Sequence, residues 1–122
     1  MSMRILVADD SPFWRDQLRA ILEEGADLTV FQATNGAEAL QKTTQMHPDA
    51  VILDACMPVL DGLAAARELR RKEPGLPVVI VTVDKTVTLE LAALQVGVPV
   101  FSKAEFLEAR NLLLRTPHSA EA

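Results

Sequence analysis

Cysteine occurs once, at Cys56. No disulfide can close within the chain, and a reducing, cytoplasmic setting is expected. A basic excess is also missing, since twelve Lys and Arg stand against seventeen Asp and Glu, a net charge of -5. A surface of that sign repels phosphate backbones, which argues against nucleic-acid binding by this polypeptide. Long apolar runs are absent too. The stretch Ile5 to Ala8 behind Met1-Ser2-Met3-Arg4 is too short for a signal-peptide core, and nothing approaches membrane-spanning length. The sequence holds no internal repeat, low-complexity segment or linker.

What is present suits one compact domain: 122 residues, 49% hydrophobic and 24% charged, a balance that builds a core at this length. Short apolar runs alternate with amphipathic stretches. Met3 to Ala8 predicts a buried strand ending at Asp9 and Asp10. Ser11 then stands where a helix N-cap belongs, with Pro12 at the first helical position. Phe13, Leu18, Ile21 and Leu22 supply that helix's apolar face, and Gly25 is expected to stop it.

A second strand is expected over Leu28 to Ala33, a turn at Asn35-Gly36, and a helix over Ala37 to Met46, stopped before Pro48. Ala50 to Leu53 predicts a third strand ending at Asp54, then a loop with Pro58 and Gly62 and a helix over Leu63 to Lys72. Pro74, Gly75 and Pro77 break that helix. Val78 to Val81 predicts a fourth strand ending at Thr82, and Thr86 to Val96 a fourth helix before Gly97. Pro99 to Ser102 is a short fifth strand ending at Lys103, and Ala104 to Leu114 a last helix closed by Thr116-Pro117. His118 to Ala122 reads as a frayed tail. Fivefold alternation with fully apolar strands predicts an α/β fold, a five-stranded parallel sheet covered by helices on both faces.

In such sheets the site lies beyond the carboxyl ends of the strands. Those ends deliver Asp9 and Asp10, Asp54, Thr82 and Lys103, while a peripheral second strand leaves Thr34 and Asn35 outside. Each residue alone has a plainer reading: an acidic turn, a helix cap, a solvated lysine. Together they place three carboxylates at one edge. Two unit charges 4 Å apart cost about 4 kcal/mol at an effective dielectric near 20, so either a proton is retained or a cation binds. Hard oxygen ligands suit Mg²⁺ or Mn²⁺. A metal on Asp10 and Asp54 would leave one Asp54 oxygen as a nucleophile and neutralise charge on a phosphoryl group. Lys103 and the Thr82 hydroxyl suit the transferred oxygens.

The motifs Asp9-Asp10, Asp54-Ala55-Cys56-Met57-Pro58 with Gly62, Thr82 and Lys103 resemble the response-regulator receiver family across essentially the whole chain. The resemblance implies a flavodoxin-like (βα)5 fold with strand order 2-1-3-4-5, a receiver domain over residues 1–116, a tail at 117–122 and no output domain in this chain. It implies that Asp54 accepts phosphate from a histidine kinase or histidine phosphotransfer protein. Asp10, Asp54 and the Cys56 backbone carbonyl would hold Mg²⁺, with Asp9 acting through water. Thr82 would move toward the phosphoryl group and Lys103 pair with it, and an aromatic near strand 5 would then change orientation and alter the helix 4, strand 5 and helix 5 surface. The chain would assist its own phosphorylation and dephosphorylation rather than turn over a substrate.

Three positions depart from the family pattern: Val100 stands three before the lysine where an aromatic is usual, Val83 where the residue is small, and Ala104 where proline is common. Strand alternation turns Phe101 away from the Val100 side. The Lys103–Ala104 bond is expected to be trans, because a non-proline cis bond costs about 2.5–4 kcal/mol.

Two alternatives compete: a degenerate receiver that binds partners without phosphorylation, and an aspartate-based phosphatase. The phosphatases typically carry a second Asp two residues after the nucleophile, which neither Asp54 nor Asp9 has. Cys56 reads as a passive loop residue, Phe13 and Trp14 as packing groups, Met57 and Pro58 as loop-shaping residues, and His47 and His118 as too isolated for ligation. On the fourth helix, Val87, Leu91 and Leu94 are expected to face the sheet. Leu89, Ala93 and Val96 would then form a second apolar face for self-association or an output partner.

Overall fold

The computed structural model describes residues 2–24 and 27–115, with the backbone alone at Arg115. The expected helix stop at Gly25, the closure at Thr116-Pro117 and the tail with His118 lie outside the described residues. Five strands, β1 (Met3–Ala8), β2 (Leu28–Ala33), β3 (Ala50–Asp54), β4 (Val78–Thr82) and β5 (Val100–Ser102), alternate with five helices. These are α1 (Pro12–Glu23), α2 (Gly36–Met46), α3 (Gly62–Lys72), α4 (Val87–Val96) and α5 (Phe106–Arg115). All strand pairs are parallel, in the order β2-β1-β3-β4-β5.

Period-two alternation sorts the strand residues into two cores. Leu6, Ala8, Val51, Leu53, Val78 and Ile80 face one side, against Ala39, Ala65, Ala66, Leu69 and Ala93 of α2, α3 and α4. Ile5, Val7, Ala50, Ile52, Val79 and Val81 face the other, against Leu18, Leu22, Phe106, Ala109 and Leu113 of α1 and α5. The central strands β3 and β4 are buried throughout, which is why they read as unbroken apolar runs. Edge strand β5 is only half-buried.

Polar caps close each strand-to-helix connection at the sheet's carboxyl edge. The Ser11 Oγ accepts from Trp14 N at 3.3 Å with Pro12 behind it, as expected. Asp61 caps α3 through Ala64 N at 2.8 Å, and Thr86 caps α4 through Leu89 N at 3.1 Å. At Asn35-Gly36 the expected free turn is instead a helix start. The Asn35 side chain accepts from Glu38 N, and Gly36 is already helical. A Cβ at Gly36 would lie 2.2 Å from the Leu60 carbonyl oxygen, so only glycine admits the β3–α3 loop here. The last helix also begins differently. Lys103–Glu105 forms a single 3-10 turn, capped by Ser102 and Glu105 in a capping box, before α5 starts at Phe106. No peptide bond among the described residues is cis, so the Lys103–Ala104 bond is trans, as expected.

Two packing expectations are corrected. Phe13 is 61% exposed and does not join the α1 core face that Leu18 and Leu22 form. On α4 the two apolar faces are interchanged. Val87, Leu91 and Leu94 are exposed at 69%, 58% and 73%, whereas Ala93 is buried and Val96 packs on the core. Both sets repeat at i, i+4, i+7, so periodicity alone does not choose between them. Size does: the small Ala93 lets the helix backbone approach its neighbours α3 and β5.

Val59 is β-branched, 82% exposed and held at φ 69°, the left-handed region that disfavours such side chains. Replacing it with Asn, which tolerates that region, removes the steric cost and little packing. Val59→Asn is therefore expected to raise unfolding free energy by roughly 0.5–1 kcal/mol in urea titrations, and an unchanged or lower midpoint would contradict the strain.

Candidate functional site

The carboxyl ends of β1, β3, β4 and β5 open onto one cleft of about 340 Å³. Asp9, Asp10, Asp54, Cys56, Thr82 and Lys103, all anticipated from the sequence, line it together. Thr34 and Asn35, at the end of edge strand β2, stay outside. Trp14, Val83 and Asp84 complete the walls along with Ser11. Asp54 is the last residue of β3 itself, in register with Val81 of β4, so the central strands fix its backbone. Below it, a Cβ at Gly62 would lie 2.1 Å from the Asp54 carbonyl oxygen, and Gly62 N donates to Ala55 O at 3.0 Å. The α3 N-terminus can press against the strand end only because that residue is glycine.

Asp9 is 1% exposed and fully engaged. Its Oδ1 accepts from Ser11 N at 2.9 Å, its Oδ2 from Lys103 Nζ at 2.6 Å, and its carbonyl oxygen from Arg15 Nη1 at 2.8 Å. Lys103 Nζ also stands 3.7 Å from Asp54 Oδ1, with its side chain 5% exposed. Asp10 is exposed at the rim. Thr82 is buried, and its Oγ1 accepts from Asp84 N at 3.3 Å.

One ammonium thus meets three carboxylates, each with an oxygen within 4.8 Å of the others'. The imbalance acts on Asp54. Its carboxyl is held up from the ordinary 3.8 to about 6, by burial first and then by the Asp9 and Asp10 charges, against the downward pull of Lys103 and the Ala55 amide. An all-oxygen donor set with unmatched negative charge fits a hard divalent cation.

Sequence reasoning missed two features of this cleft. Trp14, read as a packing group, has its ring centroid 4.6 Å from Lys103 Nζ. Asp84, two residues after Thr82, also lines the cleft and donates its amide to the Thr82 hydroxyl oxygen. The visible signal for Trp14 was its place one turn after the Ser11 cap, which puts it beside the acidic pair. Cys56 keeps its expected loop place, while Met57 is a core residue and His47 caps α2 in a left-handed conformation.

Residues 5–107 match the family model described as the response regulator receiver domain. The response regulator MprA of Mycobacterium ulcerans is 38% identical over 120 residues, covering 94% of this chain and 51% of that protein. A protein-glutamate methylesterase/protein-glutamine glutaminase of Hahella chejuensis is 40% identical over 94 residues, covering 77% of this chain and 27% of that protein. The chain therefore spans about half or less of the length of these curated relatives. Among solved structures, the response regulator domain of Thermotoga maritima CheB superposes with a TM-score of 0.79 at 29% identity, covering 93% of this chain and 92% of that one. Among the described residues, no helix is long and apolar enough to cross a membrane.

The raised Asp54 carboxyl has a consequence for stability. A group whose folded pKa exceeds its unfolded value stabilises the fold below the unfolded value and loses that contribution as pH rises through the folded one. Without divalent cations, Asp54 therefore weakens the fold progressively from about pH 4 to above 6. Asp54→Asn should gain roughly 1–3 kcal/mol over the native sequence at pH 7.5, and less at pH 5. Melts in EDTA at the two pH values read this, and a gain independent of pH would contradict it.

Proposed function

The chain belongs to the response regulator receiver domain family, and on that premise we propose that Asp54 is the phosphoacceptor of a two-component phosphorelay. The observation that carries the reading is the convergence of Asp54, Lys103 and the buried Thr82 hydroxyl on one acidic cleft. Asp10, Asp54 and the Cys56 carbonyl would hold Mg²⁺, or Mn²⁺, with Asp9 behind them through water. The ion supplies charge neutralisation for a phosphoryl group entering among carboxylates.

An Asp54 oxygen attacks the phosphorus of a phosphohistidine on a histidine kinase or phosphotransfer protein. A P–O bond to the carboxylate forms as the P–N bond breaks, and the imidazole leaves. Lys103 turns its ammonium from Asp9 toward a phosphoryl oxygen, and Thr82 donates its hydroxyl to another. Both groups already stand at the cleft wall. The domain is a signalling module and performs this step on itself.

Thr82 leads through a short loop into α4, so a shift at Thr82 is felt there. Leu91 and Leu94 of the exposed strip Val87, Leu91 and Leu94 border a groove of about 270 Å³ with Val98, Pro99 and Val100. This strip is the surface that self-associates or meets an output partner. Val100 packs toward the α4 side and Phe101 toward the α1 and α5 side, so no aromatic turns within this groove.

Incubation with acetyl phosphate and Mg²⁺ is expected to add the mass of one phosphoryl group to the native chain and none to Asp54→Asn. An undiminished shift in the variant would remove Asp54 from the role. No shift in the native chain would favour the partner-binding module without phosphorylation, and turnover of small phosphate esters would favour the phosphatase. Leu91→Lys should leave the mass shift intact and weaken self-association in light scattering. A monomer in both phosphorylation states of the native chain would dismiss the self-association reading.

A further inference from the structure

Lys103 has an unusual supporting cast for so long a side chain. It follows the three-residue edge strand β5, which is only half-buried. Yet the side chain is 5% exposed, and its ammonium is held at three places: Asp9 Oδ2 at 2.6 Å, Asp54 Oδ1 at 3.7 Å, and the Trp14 ring centroid at 4.6 Å. The Asp9 contact is the shorter and more buried of the two ion pairs, and the indole face flanks the same ammonium. An indole face attracts a cation without taking its protons or fixing their direction, and it does so more strongly where water is excluded.

Trp14 itself is well placed to act on another residue. It sits in the first turn of α1, whose core anchors Leu18 and Leu22 fix that helix on the sheet. Phe13 buttresses the ring edge-on, with centroids 5.3 Å apart at 78°. The wall that meets Lys103 thus comes from the element after β1, while Lys103 comes from the far edge of the sheet.

We propose that Trp14 is a positioning residue for phosphoryl transfer: its indole face holds the Lys103 ammonium at the cleft wall, beside both Asp9 and Asp54. The role rests on the phosphoacceptor reading of Asp54. Trp14 touches no reacting atom and acts only through Lys103. An apolar side chain of similar bulk fills the space but lacks the ring quadrupole, and a phenyl ring supplies most of it.

The test compares Trp14→Leu and Trp14→Phe, each alone and combined with Lys103→Gln, by phosphorylation with acetyl phosphate at saturating Mg²⁺. Calorimetric Mg²⁺ titration is run on the same proteins. Trp14→Leu should slow phosphorylation about threefold to tenfold with Mg²⁺ affinity changed less than twofold, and Trp14→Phe should stay within twofold of the native rate. In the Lys103→Gln background the Leu substitution should slow the reaction less than twofold, since its target is gone. A native rate for Trp14→Leu, an equal loss for both variants, or the same loss without Lys103 would overturn the proposal. If the native chain takes no phosphoryl group, the phosphoacceptor reading fails first, and the role goes with it.

A second measurement needs no substitution of the ring. Trp14 is the chain's one tryptophan and there is no tyrosine, so indole emission reports on the surroundings of Trp14 alone. Lys103→Gln should alter the emission of the otherwise native, metal-free chain. Superimposable spectra would overturn the contact, and the proposal with it.

Discussion

The ammonium of Lys103, 2.6 Å from Asp9 and 3.7 Å from Asp54, is the interaction on which the rest of the cleft depends. It is the one cation among the described residues that line a cleft also lined by four carboxylates, Asp9, Asp10, Asp54 and Asp84. Without it the buried Asp9 would be an unpaired charge, and removing one partner of such a pair costs about 3–5 kcal/mol. With it the site remains short of positive charge, and the deficit falls on Asp54, whose carboxyl is held near 6 by burial and its acidic neighbours. That unrelieved charge is what makes the edge receptive to a divalent ion. The fold tolerates the arrangement because β3 and β4 are buried along their length and carry the strain at one end only.

The same edge is tied together by softer contacts. Lys85, in the loop after Thr82, bonds Glu105 Oε1 at 3.1 Å and reaches Glu90 of α4 at 3.4 Å. Glu105 in turn receives the Ser102 amide just before Lys103. Each pair is partly exposed and worth little by itself. As a network they join the loops that carry Thr82 and Lys103 to the start of α4, whose outer strip of Val87, Leu91 and Leu94 lies in solvent. A displacement of either site residue has a short path to that surface.

Much of this was legible in the residues because two periodicities did separate jobs. Unbroken apolar runs located β1, β3 and β4, and the polar residue after each run lines the cleft, since a strand buried on both faces ends where solvent begins. The strand order came from family resemblance, and the sheet has that order. Less legible was anything decided by the shape of a neighbour. The α4 faces match each other in spacing, and only the size of Ala93 separates them. Asn35-Gly36 reads as a turn until the Leu60 carbonyl is seen against Gly36. The capping box at Ser102 and Glu105 was present as a four-residue pattern, yet the apolar run into α5 drew the helix start two residues too early. Trp14 was misread for a similar reason, because a ring on a helix resembles core until a charged partner arrives from another strand.

The central claim is that this electrostatic deficit serves a single chemical event at a single carboxylate. Borohydride reduces an aspartyl phosphate to homoserine and leaves free aspartate untouched, so it marks the atom that accepted the group. After acetyl phosphate and Mg²⁺ treatment, reductive trapping and peptide mass mapping should place homoserine at position 54 and leave Asp9 and Asp10 unmodified. Homoserine at position 9 or 10, or at none of the three, would contradict the account.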